Sequence, residues 1–420
     1  MNSAKIYPLF LKKFESVSED EEFRVIISFM NTSNRDSFIT KYENLTILNK
    51  FHIIPSICVK IKKDLILKLK NEELIKLIEE DQELILSILE INEILALEKV
   101  KSSQISFMGK DVRVGIIDNG VNDNFESISN VTKIGIRDKK FKKWKDDDIS
   151  HGTIMASIIG NQLKVPGYGM IGIAPNVKIV DLDISNPEKK YFFSSVLEIL
   201  DQIVKKDIKI DILLISLTTS HTSDGMDILS SACNLLVDKG FIIICPAGNF
   251  GPNEYTIGSP SAAKNVITFG SLEKDLKLSR FSGKGPTIDK RMKPDFCLPG
   301  SQIKIPLTPD QQINVTGSSV AAAIGVGIIA LIKEYKPEIS HKEIYDQLIN
   351  SCRDLNINKS SQGFGMPQVT KFFENLGLIQ EKILPYNFLI KRAVVISIEF
   401  SIILIVVFYL FYFFHYFRVA

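Results

Sequence analysis

Two textures divide the apolar and polar positions of this 420-residue chain. Up to about residue 98, apolar residues interleave with Lys and Glu. There FRVIISF reads as a strand, NRDSFITKYENL as a helix, and HIIPSICVKI alternates as a half-buried strand does. NEELIKLIEED carries a helical period, while ELILSILE and EILALEK are short apolar runs compatible with either state. A small α+β domain over residues 1–98 is expected. From about residue 111 short, uninterrupted apolar runs end in Gly, Asp or Asn and alternate with helical stretches: VRVGIID, VKIVDLDI, DILLISL, FIIICPAGN and NVITFG. Strands without polar alternation are buried on both faces, so residues 107–375 are predicted to form an α/β domain with a mainly parallel sheet and crossover helices. In such sheets functional groups collect at the carboxyl ends of strands.

The far end differs. Residues 376–392, with Pro385, read as a linker to AVVISIEFSIILIVVFYLFYFFHYF (393–417), an apolar run interrupted only by Glu399 and His415. That length spans a bilayer, and aromatic residues crowd its C-terminal half as membrane interfaces prefer. A single transmembrane helix is expected. Lys391 and Arg392 precede it and Arg418 follows, which favours a cytoplasmic N-terminal bulk, as does the lack of a signal-peptide pattern in MNSAKIYPLFLKKFESVSEDEEF. A misassigned start site would instead place the bulk outside the cell.

Composition narrows the classes further. Lys and Arg number 51 against 49 Asp and Glu, with no long basic run bearing aromatics, so a nucleic-acid surface is not indicated. Cys58, Cys233, Cys245, Cys297 and Cys352 lack the paired spacings of metal sites or disulfide frameworks.

Candidate chemistry sits at element ends. VAAAIGVGIIALI (320–332) is apolar all round, as a helix buried in a large domain is, and its thirteen residues are too few to span a membrane. Ser319 then lies where unpaired N–H groups and the helix dipole favour negative charge, although for an isolated serine a plain N-cap by Ser318 or Ser319 is the ordinary explanation. Among five histidines, His52, His221, His341 and His415 lie in the N-terminal domain, a polar loop, an exposed helix start and the membrane segment. His151 opens HGTIMASIIG, where Gly152 permits close backbone approach. Asp118 ends VRVGIID, and Asn249 follows the strand FIIIC in PAGN. Each group alone is ordinary; an acid, an imidazole, an amide and a hydroxyl at four element ends are not.

Their order, Asp then His then Ser, is that of subtilisin. The chain resembles the subtilisin-like serine proteases (subtilases) through IIDNGV, HGTIMA, PAGN and GSSVA, with further likeness in ISL, GIAP, FSGKGP and KPDFCLPG across about 107–370. The resemblance implies a three-layer subtilisin-like fold and a serine endopeptidase. It makes Ser319 the nucleophile, with Ser318 where the family usually has threonine. His151 becomes the base, Asp118 its orienting acid and Asn249 an oxyanion donor. Ser216, Leu217 and Thr218, near Pro246, Ala247 and Gly248, would line the first specificity pocket, with peptide or protein substrate added as a strand. Thr218 replaces a common glycine; Ser150, Ile154, Val320 and Ala323 are further departures, and none removes a reacting group. The chemistry requires no cofactor. Asp146, Asp147 and Asp148 read as a solvated loop balancing Lys142, Lys143 and Lys145, with structural calcium as the alternative. The resemblance also makes residues 1–98 a propeptide that inhibits the site, cut from the body between Glu98 and Met108. A self-inhibited or silent subtilase fold that binds peptides at the membrane is the competing reading.

Overall fold

The computed structural model describes residues 5–8, 10–11, 21–86, 107–133, 144–145, 148–165, 169–170, 172–186, 190–309, 311–369, 371 and 373. The expected linker, the membrane span and residues 98–106 of the expected cleavage stretch lie outside the described residues. All elements named here belong to one compact unit, residues 1–372.

The N-terminal sheet is antiparallel in the order β2-β3-β1-β4. It is built from β1 (Glu22–Phe29), helix α1 (Thr32–Lys41), β2 (Ile47–Phe51), β3 (Ser56–Lys62), α2 (Lys63–Leu69) and β4 (Ile75–Glu80). Asn31 starts α1 by accepting a bond from the Asn34 N–H. NEELIKLIEED, expected as a helix, contains β4 instead. Its Glu and Lys residues favour helix, yet pairing with β1 and burial of Ile75, Ile78 and Glu79 prevail over that local preference. Alternation on β1 then separates two interiors: Val25, Ile27 and Phe29 join Phe38 and Ile66 beneath α1 and α2, whereas Ile26 faces the larger domain.

The larger domain holds a seven-stranded parallel sheet in the order β16-β15-β14-β12-β6-β10-β7. In chain order, β5 (Glu83–Leu86) leads to β6 (Arg113–Asp118), β7 (Val131–Lys133), α3 (His151–Gly160) and a small ribbon, β8 (Lys164–Val165) with β9 (Gly169–Met170). There follow β10 (Lys178–Asp183), β11 (Tyr191–Phe192), α4 (Phe193–Lys205), β12 (Ile212–Ile215), β13 (Leu217–Thr218), α5 (Ile228–Asp238) and β14 (Ile242–Pro246). Next come β15 (Ile267–Leu272), β16 (Phe296–Pro299), the ribbon β17 (Ile303–Pro306) and β18 (Gln312–Val315), α6 (Ser318–Tyr335) and α7 (His341–Ser351), and then β19 (Cys352–Arg353), α8 (Lys359–Gln362) and β20 (Met366–Pro367).

Helices α3 and α6 cover one face of this sheet. On the other face α4 and α5 bury Leu197, Leu200, Ala232 and Leu236 in a core that Ile26, Phe51 and Cys58 of the N-terminal sheet close from outside. The parallel three-layer fold is therefore as expected. Helix α6 runs 18 residues rather than thirteen, long and apolar enough to cross a bilayer, but 83% of it is buried inside the protein. Its Gly325 is required by contact: a β carbon there would stand 2.4 Å from the Phe269 ring.

Strand β5 leaves the N-terminal sheet and inserts antiparallel between β11 and β13. Leu86 pairs with Leu217 and Ile85 with Thr218 on one side, and Leu84 with Tyr191 on the other. Backbone donors of the larger domain's two free strand edges are thus taken up by the chain's own N-terminal segment.

Candidate active site

Four chain segments meet at the carboxyl ends of the parallel strands. Asp118 closes β6, fully buried. Its Oδ1 accepts the Asn119 N–H at 2.7 Å, and its Oδ2 lies 2.6 Å from His151 Nδ1 and accepts the Ser216 hydroxyl. Ser150 begins α3 by accepting the Thr153 N–H at 3.0 Å, so His151 is the first helical residue and its ring points back at the strand end. Gly152 is needed there, because a β carbon would fall 2.5 Å from the Gly120 carbonyl oxygen. The ring's other nitrogen, Nε2, stands 3.0 Å from Ser319 Oγ.

With Asp118 accepting at Nδ1, the imidazole carries its proton there and leaves Nε2 as a base toward the serine hydroxyl. Ser319 is the second residue of α6, 1% exposed, at the positive end of a central helix. The N-cap is Gly317 in extended conformation, so neither serine caps the helix. Ser318 instead fastens the PAGN turn: its hydroxyl accepts the Gly248 N–H at 3.0 Å and its own N–H donates to Asn249 Oδ1 at 2.9 Å. Asn249 Nδ2 is buried and has no hydrogen-bond partner among the described residues. A buried donor without a partner costs about 1–3 kcal/mol, so its retention beside the Ser319 helix start requires an explanation.

The six expected pocket residues divide by what they touch. The Ser216 hydroxyl is turned to Asp118, and Leu217 is buried in the apolar core beneath the sheet. Their backbone, with that of Thr218, forms the edge that β5 occupies. The Thr218 methyl lies 3.1 Å from where a Gly248 β carbon would be, and its hydroxyl 2.9 Å from the same place at Gly258, so threonine fills room between two glycines. Pro246 accepts the Ser261 hydroxyl, and the Ala247 N–H donates to the Phe269 carbonyl, which fixes the floor of the turn.

The other candidate residues lie elsewhere. His221 sits in a bend, and His341 opens α7, half-buried, its ring stacked on Tyr345. His52 is exposed, and its N–H donates to Asp201 at the domain junction. All five cysteines are free. Asp146 and Asp147 lie outside the described residues; the Asp148 carboxylate accepts the Lys145 N–H, and no group of metal-ligating side chains occurs among the described residues.

Sequence reasoning missed three neighbours: the Ser216 hydroxyl on Asp118, the Ser150 cap, and Asp181, a buried acid in β10 whose carboxyl burial pushes up to about 7. Ser150 was readable as a capping residue before a helical run, and Asp181 as a charge in an apolar strand.

A family model described as the Subtilase family matches residues 109–366. The chain is 27% identical to serine protease AprX of Bacillus subtilis (strain 168) over 285 residues, covering 61% of this chain and 64% of that protein. It is 28% identical to the major intracellular serine protease of the same organism over 279 residues, covering 62% and 82%. The solved epidermin leader peptide processing serine protease (EpiP) of Staphylococcus aureus superposes with a TM-score of 0.67 at 18% identity, over 86% of this chain and all of that one. With a family model spanning more than half the sequence, a matching fold and the Asp, His, Ser order at the strand ends, this chain belongs to the subtilase family.

Proposed function

We propose that the protein is a membrane-anchored serine endopeptidase whose N-terminal domain holds its site closed. Ser319 Oγ attacks the carbonyl carbon of the scissile peptide as His151 Nε2 takes its proton. The resulting imidazolium is stabilised by Asp118, which Asn119 and Ser216 hold in place. Asn249 Nδ2 and the Ser319 N–H receive the oxyanion of the tetrahedral intermediate. Collapse breaks the peptide C–N bond, His151 returns the proton to the leaving amine, and water repeats the sequence on the acyl-enzyme. The observation that carries this reading is the unpartnered, buried Asn249 amide next to an Asp118–His151–Ser319 chain already at hydrogen-bond distances. The transition state supplies the acceptor that the resting protein lacks. Labelling of Ser319 by a fluorophosphonate, abolished in Ser319→Ala, tests it; an unlabelled wild type, freed of its N-terminal domain, would refute it.

Peptide substrate binds as a strand on the edge of Leu217 and Thr218, the mode β5 uses. The N-terminal domain acts as the inhibitor, because β5 occupies that edge while Glu79 and Asp81 of the same domain accept the Ile228 and Ser194 N–H groups at the starts of α5 and α4. Self-cleavage is expected between Glu98 and Met108, toward the Glu98 end. The Met108 and Gly109 N–H groups bind Glu334, fifteen residues along α6 from Ser319, or ~22 Å at 1.5 Å per residue. N-terminal sequencing of fragments made by the wild type, and absent from Ser319→Ala, tests this. Residues 393–417 supply the anchor, and protease protection in sealed vesicles gives its orientation.

A further inference from the structure

We propose that Asp181 is a positioning residue of this site: it clamps the turn after Asp118 to the sheet and so fixes the separation between Asp118 and the helix that carries His151. The inference rests on the hydrolase reading above. A carboxylate between Val180 and Leu182 in an interior parallel strand is costly to bury, and Asp181 is 3% exposed. It makes one hydrogen bond, Oδ2 accepting the Val121 N–H at 3.1 Å, and Oδ1 has no partner among the described residues.

That single bond is well placed. The turn 119–122 is sewn to the first turn of α3 by three others: Asn119 Oδ1 accepts the Gly152 N–H, the Gly120 carbonyl accepts the Ser150 hydroxyl, and the Asn122 N–H donates to Thr153 Oγ1. Those bonds let turn and helix move together. The Asp181 bond to the Val121 N–H ties the middle of that turn to β10, the neighbour of the β6 strand that ends in Asp118.

The charged groups facing Asp181 are Asp183 on its own strand, Asp118 on β6 and Lys133 on β7. Asp183 is occupied by Ser185, and Lys133 pairs with Asp123 at 2.6 Å. Burial, opposed by the Val121 bond, moves the Asp181 carboxyl up to about 7. Its ionised form grips the Val121 N–H more strongly than the neutral acid, so the clamp tightens as pH rises through that value.

The test uses the full chain with Asp181→Ala, which deletes the acceptor, and Asp181→Asn, which keeps an acceptor oxygen without the charge. Readouts are kcat and KM on a peptide, the rate of Ser319 labelling against pH, and the low-field proton resonance of His151 Nδ1–H in a Ser319→Ala background. The expected result is a kcat about ten- to a hundredfold lower in Asp181→Ala, as a misplacement on the order of 1 Å costs, with KM within about twofold and the His151 resonance displaced. Asp181→Asn restores most of the rate at neutral pH and removes the step near pH 7 in labelling. A lowered melting temperature with kcat, labelling and resonance unchanged would overturn the proposal, as would an Asn variant as impaired as Ala. If wild-type Ser319 takes no label at any pH, the hydrolase reading fails separately, and an unmoved His151 resonance in Asp181→Ala still sinks the clamp.

Discussion

Replacing Glu79 by Gln should remove a pH dependence that the N-terminal domain builds into its own docking. Glu79 lies wholly buried on β4, with Oε1 accepting the Ile228 N–H at 2.7 Å and Oε2 unpartnered among the described residues. Burial, then the neighbouring Asp227 carboxylate, holds its carboxyl well above the ordinary value of 4.5, with Asp224 and Asp81 adding to the same effect. The docked state therefore binds the proton more tightly than the undocked one. Docking is strongest below about pH 4.5 and weakens tenfold per unit above it until the raised docked value is reached. Within that range each pH unit costs about tenfold, or ~1.4 kcal/mol. The Ile228 N–H has no intrahelical acceptor, so its hydrogen exchange, corrected for the intrinsic rate, reports undocking in the Ser319→Ala chain. Wild-type protection should fall across that window, whereas Glu79→Gln keeps the acceptor and stays flat. Equal slopes in the two proteins would refute the argument, because the proton would then be taken up elsewhere.

Three further outcomes are expected. Asn249→Ala should lower kcat by about a hundred- to a thousandfold with little change in KM, the loss known for the oxyanion asparagine of subtilisin; an unchanged kcat would remove Asn249 from the reaction. Asp118→Asn should cost about ten-thousandfold in kcat while the fold survives, since the amide favours the wrong imidazole tautomer; circular dichroism and peptide hydrolysis together check this. Gly325→Ala should destabilise by about 1–3 kcal/mol in urea unfolding, because its methyl would meet the Phe269 ring; a neutral result would show that the α6–β15 contact yields freely.

The parallel domain was legible because five of its seven sheet strands, β6, β10, β12, β14 and β15, are short apolar runs ending near Gly, Asp or Asn. Asp118, His151, Asn249 and Ser319 could be found by asking what stands where such runs begin or end. The N-terminal domain was harder for a physical reason. In NEELIKLIEED local preference favours helix, and only the partner strand β1 and the burial of Glu79 at the junction make it β4. The run ELILSILE has no period that separates strand from helix, and its use as β5 depends on edges more than 100 residues away in sequence. Asp181 was visible as an oddity, but its partner is a backbone N–H, which no sequence pattern displays.

On the proposed reading, the N-terminal domain both places β5 on the edge that substrate would use and docks through Glu79 and Asp81, and the two together have a consequence for regulation. A strand tethered to its edge competes at an effective concentration in the millimolar range, above that of any ordinary protein substrate. Cutting the chain does not by itself vacate the edge, because the domain still docks through its sheet and its two carboxylates. Release of activity therefore needs docking to weaken after the cut, and Glu79 supplies a term that weakens it as the surroundings become less acidic. In Glu79→Gln the cut should form normally while the separated domain stays bound at pH 7.5. Co-elution of the two pieces on gel filtration, against separation in the wild type, is the outcome that follows from this coupling.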